Sequence, residues 1–356
     1  MEPKCRSRGR RGTLALARGT RSAGARLSDS EELSLSMRLL LSFDVEIWCN
    51  GWDRLDEEFP RAFERYVYGH SRTEGGALPK TLAILRRNGL KAVFFVEPLF
   101  AARFGLRHLR EIVDLIGSHD QQIELHLHSE WADEIRPRPL PHVDEKRQHL
   151  QQLSFDDQLA LIRTGLELLK DAGAHGITAF RAGSFGANGD TLRAVEAAGL
   201  TVDSSINPAV DISVPDLRGT VDLFQPSRIG NLLSIPLTVF RDGFGRRRPA
   251  QIGSCSFSEL RQVIDNAIDR SWPAVMMLSH NFEMLRPGST RIDPIVLDRF
   301  EKICAYIASR PELPMPAGNL LAQISPSPHP QTMARTSLAG TARRFGEQLL
   351  RRGLPA

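Results

Sequence analysis

Cysteine is scarce in this chain of 356 residues, and its four cysteines, at positions 5, 49, 255 and 304, form no CxxC pair. This spacing argues against a zinc ribbon and a disulfide framework, and it fits a reducing compartment. No apolar run approaches the roughly 20 residues of a membrane-spanning helix. The N-terminus lacks the continuous apolar core of a secretory signal. The sequence therefore predicts a cytoplasmic protein, with the inner face of the membrane as a further expected location.

Positive charge is concentrated at the two ends of the chain. The whole chain carries +4, yet residues 1–36 and 325–356 each carry +4, which leaves the body negative. A basic nucleic-acid-binding face on the body is therefore not indicated. Residues 1–36 are predicted to be a disordered basic extension, which would be absent if the native start were Met37. Residues 325–356 are predicted to be a Pro/Ser linker and a disordered, amphipathic basic tail that could contact anionic lipid as a peripheral membrane anchor.

Short apolar runs alternate with helix-period segments over residues 37–324, which predicts one α/β domain built from repeated β/α units. The predicted strands are Leu39–Val45, Ala92–Val96, Gln122–His128, Ile177–Arg181, Leu200–Val202, Leu232–Pro236 and Ala274–Ser279. The predicted helices are Leu78–Asn88, His108–Ile116, Asp156–Ala172, Asp190–Ala198, Ser258–Arg270 and Pro294–Ser309.

Polar residues cluster at the C-terminal ends of four of the predicted strands. They are Asp44-Val45-Glu46, His126-Leu127-His128-Ser129-Glu130, Arg181-Ala182-Gly183-Ser184 and His280-Asn281. Because barrel enzymes assemble their active sites at the C-terminal ends of parallel strands, we expect these side chains to converge. Imidazole and carboxylate groups are common ligands of zinc and similar divalent ions.

These motifs, in this order, resemble the polysaccharide deacetylase family, also called the NodB-homology domain or carbohydrate esterase family 4. The resemblance runs from about residue 38 to about residue 307 and is to a divergent branch with DxE and HxHxE motifs. It implies a distorted (β/α)7-type barrel. It also implies a metal-dependent hydrolase that removes an N-acetyl or O-acetyl group from a sugar.

The resemblance implies a role for each motif. Asp44 would be the general base, Arg181 would orient it, and His280 would protonate the leaving group. The first two metal ligands would be Glu46 and His126.

The third ligand is open between two residues. The family register favours Glu130 slightly, whereas strand geometry and ligand softness favour His128. The implied cofactor is one divalent ion, with zinc expected and Co, Mn or Ni as alternatives.

Further residues are candidates around this centre. Ser184 and Asn188, in the loop after Arg181, are candidate substrate-binding residues, and Asp203 is a candidate support for His280. The loops over residues 50–76 and 207–256 contain aromatic and charged residues and are expected to border the substrate groove.

The expected substrate is an amino sugar of a bacterial surface polysaccharide or of its lipid-linked precursor. One alternative is hydrolysis of another amide or formamide on the same fold. A second is a non-catalytic sugar-binding homologue, since Glu130 stands where the family has histidine.

Overall fold

The computed structural model describes residues 37–72, 75–210, 217–315, 317–326 and 332–353. The predicted extension over residues 1–36 lies outside these ranges, as does most of the predicted linker. No helix within the described ranges combines the length and hydropathy of a membrane span.

An eight-stranded sheet forms the centre of the molecule, in the order β10-β1-β2-β3-β4-β5-β7-β6. Every neighbouring pair is parallel except β6 and β7. A second sheet has the order β11-β8-β9. The strands are β1 Arg38–Val45, β2 Val93–Val96, β3 Gln122–Leu127, β4 Ala179–Ala182, β5 Val202–Asp203, β6 Ser227–Ile229, β7 Leu232–Ser234, β8 Val239–Arg241, β9 Arg247–Pro249, β10 Ala274–His280 and β11 Ala334–Arg335.

The helices are α1 Leu55–Phe63, α2 Leu78–Arg87, α3 Ala101–Phe104, α4 Leu106–Gly117, α5 Phe155–Asp171, α6 Gly189–Ala197, α7 Phe257–Asp269, α8 Pro294–Ala308 and α9 Leu338–Gly353. A π-helical turn at Glu64–Tyr68 and 3-10 turns at Ser129–Glu134, Leu150–Gln152 and Gly183–Phe185 complete the local structure. The seven predicted strands and six predicted helices are confirmed, each end within two residues. The missed α1 carries Pro60 in its interior, where proline is a helix breaker.

The sheet curls because one face of each strand is turned toward a small apolar interior. Leu40, Phe95 and Met276 belong to this inner cluster, in which buried residues recur at every second position. The segments after β7 and β9 complete the wall. Thr238 N donates to Met276 O at 3.1 Å, and Leu278 N donates to Ala250 O at 2.9 Å. The result is a distorted barrel. Its inward-facing residues are apolar along most of each strand and polar at the C-terminal ends of the strands.

The described part of the C-terminal tail is folded, in contrast to the expectation of a disordered tail. β11 pairs with β8, and α9 lies on the body through ion pairs. Arg344 Nη2 lies 2.7 Å from Asp242 Oδ2, and Arg351 Nε lies 2.6 Å from Asp293 Oδ2, with both carboxylates buried. Buried charge pairing of this kind is not visible as hydrophobic periodicity, which explains the difference.

Candidate active site

Three side chains from the ends of β1 and β3, which flank β2, converge at the C-terminal end of the sheet. Glu46 Oε1 lies 3.0 Å from His126 Nε2 and 3.1 Å from His128 Nε2. The three residues are buried, and their donor atoms lie within 4.8 Å of one another. Asp44, Glu46 and His280 form a second, overlapping group within the same limit. One carboxylate and two imidazoles form a donor set suited to zinc.

The opposite nitrogen of each imidazole is held by the protein. His126 Nδ1 lies 2.8 Å from the carbonyl oxygen of Arg181, and His128 Nδ1 lies 3.3 Å from Glu130 Oε2. Histidine ligands of metals are commonly oriented by such outer contacts, which leave the other nitrogen for the ion. The structure therefore places His128, rather than the slightly preferred Glu130, in the donor group. Glu130 lies behind it.

The local charges favour a cation at this position. Burial alone would raise the pKa of Glu46, but the imidazoles of His128 and His126 outweigh it and hold that pKa well below its usual value. Burial alone would lower the pKa of His128, but the carboxylates of Glu46 and Glu130 raise it to about 10. The carboxylates therefore draw positive charge, as a proton or as an ion, to the nitrogens around Glu46.

Asp44 and Arg181 form a buried ion pair beside the donor group. Arg181 Nη1 donates to Asp44 Oδ1 at 2.5 Å, and Arg181 Nη2 donates to the hydroxyls of Ser42 at 3.0 Å and Ser204 at 3.1 Å. The guanidinium lies 4.0 Å from the centre of the Phe95 ring. Since the fully buried Arg181 is fixed on several sides, Asp44 has a fixed carboxylate orientation.

His280 faces Asp44 from the next strand, because the two residues are aligned in the β1–β10 register. Its Nδ1 lies 2.9 Å from Glu283 Oε1, and its Nε2 lies 3.9 Å from Glu46 Oε1. Burial alone would lower the pKa of His280, but the Glu283 hydrogen bond and the Glu46 charge raise it to about 9.

Asp203, the predicted support of His280, is engaged elsewhere. Its carboxylate accepts from the Ser205 hydroxyl at 2.6 Å and from the Ser205 backbone at 3.1 Å. Glu283 holds His280 instead. The sequence signal that could have identified Glu283 is its spacing, three residues after the histidine in the turn that follows β10.

Glu97 is a second residue that sequence reasoning missed, although it directly follows β2 and so stands at the same end of the barrel. It is 2% exposed, and its Oε1 accepts from Leu99 N at 2.9 Å. Its buried Oε2 has no hydrogen-bond partner within the described ranges. Burial raises the pKa of Glu97 to about 8, despite the opposing hydrogen bond from Leu99 and charge of His128.

The loop after Arg181 has a packing role next to His128. A Cβ atom at Gly183 would lie 2.7 Å from Cγ and Nδ1 of that imidazole, so the ring occupies the space of a side chain. Asn188 caps α6, accepting from Thr191 N at 3.0 Å. Ser184 lies in the turn with a φ of 50°. The structure does not bring Ser184 or Asn188 to the donor group, and their substrate-binding role stays a prediction.

Two cavities border the site, one at the loop after β1 and the other chiefly at the turn after β10. One, of about 220 Å³, is lined by aromatic residues that include Trp48, Trp52 and Trp131. Trp48 also donates from Nε1 to Glu46 Oε2 at 2.7 Å. The other, of about 340 Å³, is lined by residues that include Phe282, Glu283, Arg65, Arg286 and Arg351. Tyr66 contributes to both cavities.

Sequence comparison identifies no relative: no protein-family profile matches, and no curated protein matches. Solved structures do match. A Mycobacterium smegmatis protein assigned as a polysaccharide deacetylase is 15% identical with a TM-score of 0.52, and the match covers 83% of this chain and 91% of that one.

Two further structures are less similar. A family 4 carbohydrate esterase from Streptomyces lividans in complex with acetate is 14% identical with a TM-score of 0.38, covering 82% of this chain and 98% of that one. A family 4 pseudoenzyme from Bacillus anthracis is 13% identical with a TM-score of 0.35, covering 69% and 55%. The fold assignment rests on the mycobacterial structure and on the strand order. This chain has the polysaccharide deacetylase, or NodB-like, fold.

Proposed function

We propose that this protein is a metal-dependent hydrolase that removes an acetyl group from the nitrogen of an amino sugar. The observation that carries the proposal is the convergence of three functions at one end of the barrel. These are a metal-type donor group, a carboxylate held by a buried arginine, and a histidine held by a second carboxylate. A sugar-binding protein without catalytic activity has no need of all three.

The donor residues fit a divalent ion. Glu46, His126 and His128 would hold it, since their donor atoms converge and the outer nitrogen of each imidazole is already engaged. The chemistry that such an ion supplies when bound is polarisation of the acyl carbonyl and activation of water. Three protein ligands leave room for further ligands, as in catalytic zinc sites.

Two side chains of the protein would then transfer the protons during hydrolysis. As water adds to the carbonyl carbon, Asp44 accepts its proton, and Arg181 keeps the Asp44 carboxylate oriented toward the site. His280 would donate a proton from Nε2 to the sugar nitrogen as the carbon–nitrogen bond breaks, while its Nδ1 stays on Glu283. The products are acetate and the free amine, so that every atom of water is accounted for.

The two neighbouring cavities provide surfaces suited to a sugar. Aromatic rings pack against the apolar faces of sugars, and Trp48, Trp52 and Tyr66 line the cavity next to Glu46. The ring of Phe282 lies 5.3 Å from that of His280 on the other side. We propose an amino sugar of a bacterial surface polysaccharide, or its lipid-linked precursor, as the substrate.

The test is hydrolysis of N-acetylated amino-sugar oligosaccharides, with acetate and free amine both measured. Protein stripped with a chelator is compared with protein resupplied with zinc, cobalt, manganese or nickel. We expect activity to require the ion and to be lost in a Glu46→Ala, His126→Ala double variant. Full activity of the stripped protein would contradict the proposal.

A second variant separates catalysis from metal binding. Asp44→Asn should keep the ion, because Glu46, His126 and His128 are unchanged. Its kcat should fall by roughly 100-fold or more, which is the size of a typical general-base contribution. Release of formate from N-formyl sugars, without release of acetate from N-acetyl sugars, would identify a formamide hydrolase with the same mechanism. Sugar binding with neither activity nor ion would identify a non-catalytic homologue.

A further inference from the structure

Helix α9 is amphipathic with its two faces reversed relative to an ordinary surface helix. Its charged side faces the body, where Arg344 pairs with Asp242, Glu347 with Arg299, and Arg351 with Asp293. A soluble helix normally buries its apolar stripe and exposes its charges. The reversal leaves the apolar stripe of α9 without a partner in the described structure.

The outer face of α9 consists of large apolar side chains. Leu338, Phe345 and Leu349 are spaced by seven and four residues, so they share one stripe, and Leu350 lies beside it. Their exposed fractions are 60%, 42%, 67% and 65% in that order. Phe244, at the turn between β8 and β9, is 62% exposed and its ring centre lies 6.2 Å from that of Phe345.

This clustering is specific to one surface. The exposed large hydrophobic residues of the described ranges are these five and Val210, which is 38% exposed. Contiguous exposed apolar surface of this kind usually marks an interaction site. We define the outer face of α9 as Leu338, Phe345, Leu349 and Leu350 together with Phe244.

Arginines surround the outer face. Arg343 and Arg352 are exposed on α9. Arg246, on the neighbouring β8–β9 turn, and Arg247, at the start of β9, are exposed as well. The acidic residues of the two segments are paired: buried Asp242 with Arg344, and Glu347 with both the buried Arg299 and the exposed Arg343. The arginines outnumber them. The rim is therefore cationic around an apolar centre.

We propose that the outer face of α9 docks on an anionic lipid bilayer, with its apolar residues at the depth of the headgroups and its arginines on lipid phosphates. Interfacial helices bind membranes in this way. The charge argues against the other occupants. A second copy would oppose two cationic rims, and residues 1–36 also carry a net charge of +4. The proposal goes beyond hydrolysis and stands or falls independently of it.

The test is sedimentation of the full-length protein with vesicles. Vesicles of phosphatidylcholine mixed with phosphatidylglycerol are compared with vesicles of phosphatidylcholine alone, at low and high salt. We expect binding to the anionic vesicles that weakens with salt. The double variant Phe345→Ser, Leu349→Ser should bind at least about tenfold more weakly, since each side chain loses its apolar burial. Val210→Ser is the matched control and should bind like the unchanged protein.

A charge variant tests the rim separately. Arg343→Ala with Arg352→Ala should weaken binding by about fivefold for each arginine, the effect expected of a basic residue near an anionic surface. Thermal unfolding of each variant checks folding. Absence of vesicle binding would overturn the proposal. The proposal would also be overturned if the unchanged protein forms a dimer and binds no vesicles, and if Phe345→Ser, Leu349→Ser abolishes the dimer. A second copy would then cover the outer face of α9.

Discussion

Gly183 lies directly against the imidazole of His128: a Cβ atom at position 183 would come within 2.7 Å of the ring. We expect Gly183→Ala to displace the ring and weaken metal binding at least about tenfold, the scale of disturbed outer contacts. Gly189→Ala is the matched control, because a Cβ there meets nothing within 4 Å. Titration of the stripped proteins with zinc measures the difference. Equal affinities would mean that the ring need not stay where the structure has it.

The third ligand is a separate question. His128→Ala should lose the ion, since it removes one of the three converging donors. Glu130→Gln should keep one ion per chain but bind it roughly 10- to 100-fold more weakly, because Glu130 only orients His128. Metal content and zinc affinity of the two variants provide the measurement, with exposed His142→Ala as control. The opposite order would restore Glu130 as the ligand.

The support of His280 can be tested by comparing two carboxylates. Glu283→Gln should lower kcat by roughly 10- to 100-fold, because His280 loses its anionic partner. This loss is part of the rate enhancement of roughly 10²- to 10⁴-fold that general acid–base catalysis supplies. Asp203→Asn should leave kcat nearly unchanged, since Asp203 bonds to Ser205. Zinc affinity should stay the same in both. A larger loss in Asp203→Asn would contradict this assignment.

The buried Glu97 carboxyl group should make the stability of the metal-free protein depend on pH. Its pKa rises from 4.5 to about 8 on folding, so between these values the folded state holds a proton that the unfolded state has released. The contribution is complete below the unfolded pKa and is lost as pH rises through the folded one. The contribution of Glu97 to the unfolding free energy should therefore fall by up to about 1.4 kcal/mol for each pH unit in this window.

Glu97→Gln removes this term, because glutamine does not titrate. Denaturant unfolding at pH 5, 6.5 and 8 should show the variant gaining stability relative to the unchanged protein as pH rises. Glu57→Gln, at an exposed carboxylate, should run parallel to the unchanged protein. If Glu97→Gln also runs parallel, Glu97 is ionised in the folded state.

The sequence by itself determined the order of strands and helices and the end of the barrel at which the chemistry collects. Apolar runs such as Leu39–Val45 and Ala274–Ser279 have the length of buried parallel strands, and local periodicity depends only on neighbours along the chain. Asp44, His126, Arg181 and His280 could be named because each lies at the C-terminal end of such a run. Their convergence follows from the parallel arrangement of the strands.

The tertiary structure decided which of these side chains meet. His128 joins Glu46 because the inward face of β3 continues past His126, whereas Glu130 lies within the 3-10 turn that begins at Ser129 and reaches only the outer nitrogen. Glu283 stands only three residues after His280, but the spacing alone does not show that the two side chains meet. Glu97 is buried by the packing of the barrel around the end of β2, which no local pattern marks. The orientation of α9 was also decided by the tertiary structure. Its sequence predicts an amphipathic tail, but the buried Asp242, Asp293 and Arg299 of the body decide which side faces inward.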